Sequence, residues 1–209
     1  MEPEPNKTLF SVEKPESEKV KIIINNVLTM LGNRIYVDKG GRKQPLLIPE
    51  EAAKKVTDRG DGAFIIKSNN GDSYAIKIIF QRITSTGKQS VISDFFKEYA
   101  KYKKIIIARE YNNKIIDYMT KHHTQIFKES SMLSDIISYR DQPNFELLSP
   151  AEMERFKLEY NATDYTTKKM NRNDPVAKYF ALKKGDIIRI IRPSPTSGEA
   201  IDYRICGMA

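Results

Sequence analysis

Residues 174–194 read DPVAKYFALKKGDIIRIIRPS, and they decide the fold of the C-terminal part of the chain. Asp174 can cap a helix, and Pro175 stands at the first helical position, where a missing N–H costs nothing. Gly185 is the expected end of this helix, after two lysines whose charges suit the negative end of the helix dipole. The stretch therefore predicts a short helix that begins after Asp174 and is stopped by Gly185.

An isoleucine-rich run over 186–192 follows this helix and predicts a strand. Residues 193–198 contain two prolines and a glycine, which is typical of a tight turn. Ile201, Tyr203 and Ile205 then alternate with polar residues, so we expect a second strand with one buried face. The C-terminal end of the chain is thus predicted to be a helix that leads into a β-hairpin.

The best candidate for a domain boundary lies at 140–144, where a proline interrupts a polar stretch. We therefore expect one domain over residues 1–143 and a second over residues 144–209. The second domain opens with a strand and then a capping box at Ser149, which predicts a helix that runs to about Tyr160.

The first domain is predicted to be an α/β layer. A helix over 17–31, ended by Gly32, has apolar side chains at spacings of three and four, which is typical of a core face and also of a partner-binding helix. Strands are expected at 63–67, 74–83, 105–108 and 125–127, and further helices at 91–102, 114–122 and 131–139. This order of elements is typical of a sheet layered with helices.

Lysine and arginine outnumber acidic residues, 35 to 27, so the chain carries a net charge of +8. Residues 144–209 contribute +2 of this charge, and residues 1–143 contribute +6. A positive first domain is compatible with contact to a phosphate backbone, and a hydrated lysine surface explains the same charge equally well.

Three features favour an intracellular, reducing compartment. Cys206 is the single cysteine of the sequence, which excludes an internal disulfide and a cysteine-based zinc site. Residues 1–7 are acidic and proline-rich without an apolar core, as expected for a loose tail rather than a signal peptide. No run approaches the roughly 18 consecutive apolar residues that span a bilayer.

The quoted stretch resembles the signature of one protein family, the fifth-largest subunit of eukaryotic DNA-directed RNA polymerases, which has a shorter equivalent in the archaeal enzyme. The residues that carry the resemblance are 174–180, Leu-Lys-Lys-Gly at 182–185 and Ile-Ile-Arg-Pro-Ser at 190–194, followed by Thr196 and Gly198.

The match runs from about Phe145 to Ile205 and departs at its two edges. Residues 167–170 stand where the family usually has Leu-Pro-Arg-Ile, and Glu199 and Ala200 replace an arginine and an aromatic residue. The resemblance implies a small α+β assembly domain that docks on the largest polymerase subunit, preceded by a jaw domain with an inactive restriction-endonuclease-like core. A well-kept assembly domain beside a divergent jaw suggests a large DNA virus, with the cytoplasmic virus factory and the virion as locations, or the nucleus for a cellular member.

Contact with downstream duplex DNA is expected at Arg109, Asn112, Asn113 and Lys114, which are predicted to form a loop at the end of a buried strand. In the family that the chain resembles, the equivalent loop lies beside downstream DNA and carries Thr-Pro-Ser-Ala, which this loop lacks. Contacts here are expected to involve phosphates, and therefore to be independent of sequence and sensitive to salt.

The surface toward other polymerase subunits is expected to include Tyr179, Lys183, Arg189, Arg192 and Tyr203. Five further residues are expected to set the shape of the backbone instead: Asp174, Pro175, Gly185, Pro193 and Gly198.

Two other functions remain compatible with the sequence. A stand-alone DNA-binding accessory factor with the same assembly domain would be lost from polymerase in salt. A nuclease would need an acidic residue two positions before a lysine to hold Mg²⁺, and Ala75 occupies that position before Lys77. His122 and His123 point about 100° apart on a helix and suit a shared metal poorly. The sequence thus predicts a non-catalytic subunit without a cofactor, a small-molecule substrate or a membrane.

Overall fold

The computed structural model describes residues 14–85, 87, 90–139, 142–163 and 165–207; the predicted N-terminal tail lies outside them. The helices are α1 (Glu16–Asn33), α2 (Pro49–Ala53), α3 (Val91–Glu98), α4 (Asn113–Lys121), α5 (Glu129–Met132), α6 (Pro150–Glu159) and α7 (Pro175–Tyr179). The strands are β1 (Ile35–Val37), β2 (Lys43–Pro45), β3 (Thr57–Asp58), β4 (Ala63–Lys67), β5 (Ser73–Ile83), β6 (Lys103–Tyr111), β7 (Thr124–Lys128), β8 (Asn144–Leu147), β9 (Lys168–Met170), β10 (Ile187–Ser194) and β11 (Gly198–Cys206).

A five-stranded sheet in the order β3-β4-β5-β6-β7 organises the first half of the chain. The pairs β3–β4 and β4–β5 are antiparallel, whereas β5–β6 and β6–β7 are parallel. The β4–β5 turn contains Asn70-Gly71, and Gly71 has φ +88°, a conformation that costs a glycine little. Helices α3 and α4 supply the two crossovers that the parallel pairs require.

Both faces of this sheet are buried, because the strands alternate two apolar sets. Ile76 and Ile105 point toward α1, and Ala75 and Ile106 point toward α3 and α4; each of the four is at most 1% exposed. The apolar stripe predicted in the first helix is confirmed as a core face, with Ile23, Val27, Leu28 and Leu31 buried.

A four-stranded sheet in the order β8-β10-β11-β9 forms the second half. Strands β10 and β11 form the predicted C-terminal hairpin, in a register that pairs Ile187 with Ile205 and Ser194 with Gly198. Helix α6 covers one face of its base through Phe156, with Leu148 beside it. The capping box predicted at Ser149 is confirmed, since its side chain and that of Glu152 exchange hydrogen bonds with each other's backbone N–H.

The two halves share one apolar core. Ile23 and Val27 of α1 belong to the same cluster as Met170, Tyr179 and Ile188 of the second half. Helix α1 therefore packs against both the five-stranded sheet and residues that follow the predicted boundary. The division at residue 143 stays a prediction. Because the core is shared, apolar side chains of each half are buried against side chains of the other.

Several predicted boundaries were wrong. Helix α1 runs past Gly32, where a Cβ would lie 2.7 Å from Pro49 Cγ, so this glycine permits close packing rather than ending the helix. Helix α7 ends at Tyr179 because Ala181 takes the left-handed conformation at φ +53°, and Gly185, at φ +91°, lies in a later turn. Strand β9 was not predicted, since its lysines gave no apolar signal.

None of the helices formed by the described residues is long and apolar enough to cross a membrane. Within the same residues, no three histidine, cysteine or acidic side chains come together in a group that could hold a metal ion. Cys206 is a buried free thiol, and burial raises its pKa.

Candidate interaction surfaces

The four residues expected near DNA do not form a loop, which corrects the prediction. Strand β6 continues through Arg109 to Tyr111, and α4 begins two residues later at Asn113. The strand extends beyond its apolar run because Glu110 and Tyr111 still pair with Arg82 and Ile83 of β5. The short connection leaves these residues on a rigid edge at the carboxyl ends of parallel strands.

Asn112 has a structural role at this edge. Its side-chain oxygen accepts a hydrogen bond of 3.0 Å from the backbone N–H of Ile115, so it caps α4. Arg109, Asn113 and Lys114 are exposed. The first turn of α4 contains no acidic residue, so its positive helix end and Lys114 reinforce each other electrostatically.

The hairpin presents an apolar surface that its own helix does not cover. Near the base, Ile187 and Ile205 are buried under α6. Toward the tip, the pair of Ile191 and Ile201 continues the same face, and Ile201 is 52% exposed. The expected burial of this whole face is therefore correct at Ile205 and wrong at Ile201, where α6 no longer reaches.

Two of the predicted contact residues are engaged within the chain. Arg189 forms an ion pair with Glu146 across the β8–β10 pair, and its Nε and Nη2 both donate to Oε2 of that carboxylate. Tyr203 packs its ring 4.4 Å from that of Phe156 and 5.8 Å from that of Tyr160. Arg192 is exposed on the opposite face of the hairpin, where it pairs with Ala200.

Tyr179 belongs to the core, which corrects its expected place in a contact surface. The residue is 6% exposed, and its hydroxyl accepts a hydrogen bond of 2.9 Å from Asn33. Burial raises the pKa of this hydroxyl to about 12. The tyrosine therefore fixes α7 against the end of α1.

Arg34 is an important residue that sequence reasoning missed. Its guanidinium is buried and donates to the carbonyl oxygens of Tyr179 (2.7 Å) and Lys178 (3.2 Å) and to the side chain of Gln125 (2.9 Å). Burial lowers its pKa to about 10, so it stays charged at neutral pH. No local pattern distinguishes it from a surface arginine, because its partners are distant in sequence.

A second tie between the halves is the ion pair of Lys43, in β2, with Glu152, in α6. Burial acts to raise the pKa of Glu152, but hydrogen bonds from Lys43 and Ser149 outweigh it and lower the pKa to about 2.

The residues expected to shape the backbone divide into two groups. Asp174 caps α7 by accepting a hydrogen bond of 2.8 Å from Val176, and Pro175 is the first helical residue, as predicted. Gly198 starts β11 at φ +75° after a three-residue turn, a position that favours glycine. Pro193 was predicted to lie in the turn, but it lies inside β10, opposite Glu199.

One carboxylate does lie beside Lys77, the lysine weighed for nuclease chemistry. Lys77, 7% exposed on β5, forms an ion pair of 2.8 Å with Asp61, and this pairing lowers the pKa of the carboxyl group. The position that would hold a second carboxylate is Ala75, which is fully buried. Asp61 could serve as one carboxylate ligand of a metal ion, and Ala75 supplies no second one.

Comparison with known proteins agrees with this architecture. A family model described as "RNA polymerase Rpb5, C-terminal domain" matches residues 134–206. "DNA-directed RNA polymerase subunit 5" of Acanthamoeba polyphaga mimivirus is 57% identical over 202 residues, which cover 97% of this chain and 98% of that protein. The chain therefore belongs to the RNA polymerase subunit 5 family.

Cellular relatives are more distant. "DNA-directed RNA polymerases I, II, and III subunit rpabc1" of Dictyostelium discoideum is 29% identical over 132 residues, 63% of this chain and 56% of that protein. The corresponding subunit of Caenorhabditis briggsae is 25% identical over 203 residues, 91% of this chain and 96% of that protein. The likeness to the viral protein thus extends over both halves at a much higher identity.

Proposed function

We propose that the chain is the non-catalytic fifth subunit of a multisubunit DNA-directed RNA polymerase encoded by a large DNA virus. The observation that carries the proposal is the 57% identity to the mimivirus subunit over almost the whole of both chains. A virus that replicates in the cytoplasm needs transcription there, so the virus factory and the virion are the proposed locations. The alternative, a stand-alone accessory factor, has no specific observation in its favour.

In this proposal, residues 144–209 form the assembly domain, and its hairpin docks on the largest subunit. Ile201 supports this role, because an exposed isoleucine that continues a buried face is suited to burial against a partner. Glu199 lies on the same face, closer to the tip, and supplies a polar rim, whereas Arg192 lies on the opposite face. A partner that packs on Ile201 would bury the part of this hairpin face that α6 leaves exposed.

Residues 1–143 form the jaw, for which we propose an inactive restriction-endonuclease-like core that lies near downstream DNA. Arg109, Asn113 and Lys114 support this placement, since they are exposed at one rigid edge of the five-stranded sheet. Their contacts would be to phosphates, so binding would weaken as salt rises. The methyl side chain of Ala75 supports the absence of nuclease chemistry, because no carboxylate stands there to share a metal with Asp61.

The proposal is tested by recovery of the polymerase from infected cells on tagged full-length chains. We expect the parent chain to retain the large polymerase subunits through a high-salt wash, and Ile201→Asp to recover about tenfold less of them, because a charge replaces an interface anchor. Ile48→Asp is the matched control, since Ile48 is 44% exposed in the first half.

Three results would contradict parts of this proposal. Loss of the polymerase from the parent chain in salt would favour the accessory factor. Equal recovery with Ile201→Asp would exclude the hairpin tip as the docking surface. Mg²⁺-dependent cleavage of plasmid DNA by the purified chain, abolished in Lys77→Ala, would show that the chain is an enzyme.

A further inference from the structure

A groove of about 940 Å³ runs between the two halves, along the strand at one edge of the five-stranded sheet. Its lining comes from α4, from β7 and from residues 177–184. A smaller apolar pocket of about 180 Å³ adjoins it and shares Ile126, Phe127 and Lys178. The groove therefore follows one strand along its length.

The side chains that line this groove are strongly basic. Six lysines contribute: Lys103, Lys104, Lys121, Lys178, Lys183 and Lys184. Arg34 and Arg172 add two further cations, and among the lining residues that the structure describes Asp117 is the one acidic residue. A concave surface with a single sign of charge concentrates ligands of the opposite charge.

These cations are largely unneutralised. Among the described residues, Lys103 has a carboxylate partner, Asp72, and the other seven lining cations have none. Lys104 donates to the carbonyl oxygens of Tyr99 (3.3 Å) and Tyr102 (3.1 Å), which carry no net charge. Burial lowers the pKa of Lys104 and of Lys178, and a bound anion beside them would stabilise their charged form.

The edge of the five-stranded sheet also lies in the lining of the groove. Strand β7 is the last strand of the five-stranded sheet and has β6 as its neighbour. Apart from that pairing, the described residues make no backbone–backbone hydrogen bond to residues 125–127. An open strand edge of this kind accepts an extended peptide, whose main chain supplies the missing hydrogen bonds.

The lining favours a polypeptide over a nucleic acid. Proteins that bind single strands combine cations with exposed aromatic rings on which bases stack. Among the described residues of the lining, the rings of Tyr74 and Phe127 are 6% and 8% exposed, which leaves the imidazole of His123 as the one exposed aromatic ring. A strand edge alternates N–H donors with carbonyl acceptors, and a peptide backbone matches both, whereas a phosphate backbone can use the donors alone.

We propose that this groove binds an extended acidic segment of another polypeptide, which adds as a strand to the free edge of β7 while its carboxylates pair with the surrounding lysines. The inference goes beyond the polymerase role, because it concerns a different face from the hairpin tip and is tested on the isolated full-length chain. Failure of this proposal would leave the hairpin docking untouched.

The test measures binding of a fluorescent peptide of about ten residues, in which glutamate alternates with valine. Lys121→Glu with Lys184→Glu should weaken binding about tenfold, since both side chains are exposed in the groove. Lys54→Glu with Lys157→Glu carries the same change of charge on exposed lysines outside the groove and should change affinity less than about twofold. Circular dichroism confirms that both variants fold.

Two further probes complete the test. Every second amide of an added strand points toward β7, so the peptide is N-methylated either at its odd-numbered or at its even-numbered residues. If the segment adds as a strand, one of these two forms should lose binding, because its methyl groups remove the donors that face β7. Single-stranded and duplex DNA of matched charge should bind more weakly than the peptide. Tighter binding of either DNA, equal effects of the two double variants, or undiminished binding of both N-methylated forms would overturn the proposal.

Discussion

The two sheets of this protein differ in how completely they are covered. The five-stranded sheet is buried on both faces, and Ile76 and Ile106 in its centre are fully inaccessible. The hairpin of the four-stranded sheet is buried at its base, where Ile187 is 1% exposed, and open toward its tip, where Ile201 is 52% exposed. The same residue type, in the same kind of strand, thus occupies two opposite environments.

This contrast separates stability from association. Isoleucines of the covered sheet contribute to folding, because they have already left water in the isolated chain. Isoleucines at the hairpin tip gain little from folding and have apolar area left to bury against a partner. A subunit needs both kinds of surface, and here they lie on different sheets.

The largest expected effect comes from Ile106→Ala. The substitution leaves a cavity in the covered sheet and should lower the free energy of unfolding by about 3–4 kcal/mol. Ile201→Ala should lower it by less than about 0.5 kcal/mol. Urea denaturation of the full-length chain measures both values, and similar losses in the two variants would break the distinction between the sheets.

A smaller effect is expected at the tie between the halves. Arg34→Met removes three donors and leaves buried carbonyl oxygens such as that of Tyr179 unpaired, so the free energy of unfolding should fall by about 2 kcal/mol. Arg42→Met is the control, since that arginine is exposed. A two-stage denaturation curve in Arg34→Met would show that the halves had become independent.

A gain in stability is expected at the end of α7. Ala181 has φ +53°, so Ala181→Gly should raise the free energy of unfolding by about 0.5–1 kcal/mol as the left-handed strain is relieved. Ala177→Gly lies in the helix itself and should lower the same quantity by about 1 kcal/mol. A lower free energy of unfolding in Ala181→Gly would show that the left-handed conformation of Ala181 does not destabilise the parent protein.

The smallest effect depends on pH. Because the folded-state pKa of Glu152 is about 2 and its ordinary value is 4.5, its ion pair stabilises the fold above about pH 4.5 and is lost as the pH falls toward 2. Glu152→Gln keeps a capping side chain and removes the charge, so it should cost about 0.5 kcal/mol at pH 7, allowing for solvent screening.

The expected cost of Glu152→Gln should vanish near pH 2, where the parent carboxyl group is also becoming neutral. Thermal denaturation of the two proteins between pH 2 and pH 7 provides the comparison. A difference that persists unchanged at the acid end would assign the effect to the helix cap and not to the pairing with Lys43.

Much of the fold could be predicted because its signals are local. Asp174 and Pro175 predict the start of α7, and the capping box at Ser149 predicts the start of α6. Each of these signals occupies at most four consecutive residues. Short apolar runs likewise predict β4 at 63–67 and β5 at 74–83, close to their observed bounds. These features depend on neighbours along the chain, which the sequence displays directly.

The errors arise where distant contacts decide. Strand β6 runs on to Tyr111 because β5 lies beside it, although the apolar run ends at Ala108. Ala181 ends α7 in the left-handed conformation, which alanine does not favour. It lies four residues before Gly185, the residue predicted to end the helix. Arg34 and the groove lysines are likewise ordinary surface residues in the sequence, and folding brings their partners and neighbours together.

The position of α1 has a consequence for the order of synthesis. This helix leaves the ribosome early. Arg34, which directly follows it, can form its hydrogen bond to the carbonyl oxygen of Tyr179 only after 145 further residues have been made. At about 5–20 residues per second, synthesis of these 145 residues takes roughly 7–30 seconds, during which the apolar face that meets the second half has no partner. A nascent chain in that interval offers Ile23 and Val27 to other polypeptides, so the newly made protein would be a natural client for chaperones until its last quarter has been translated.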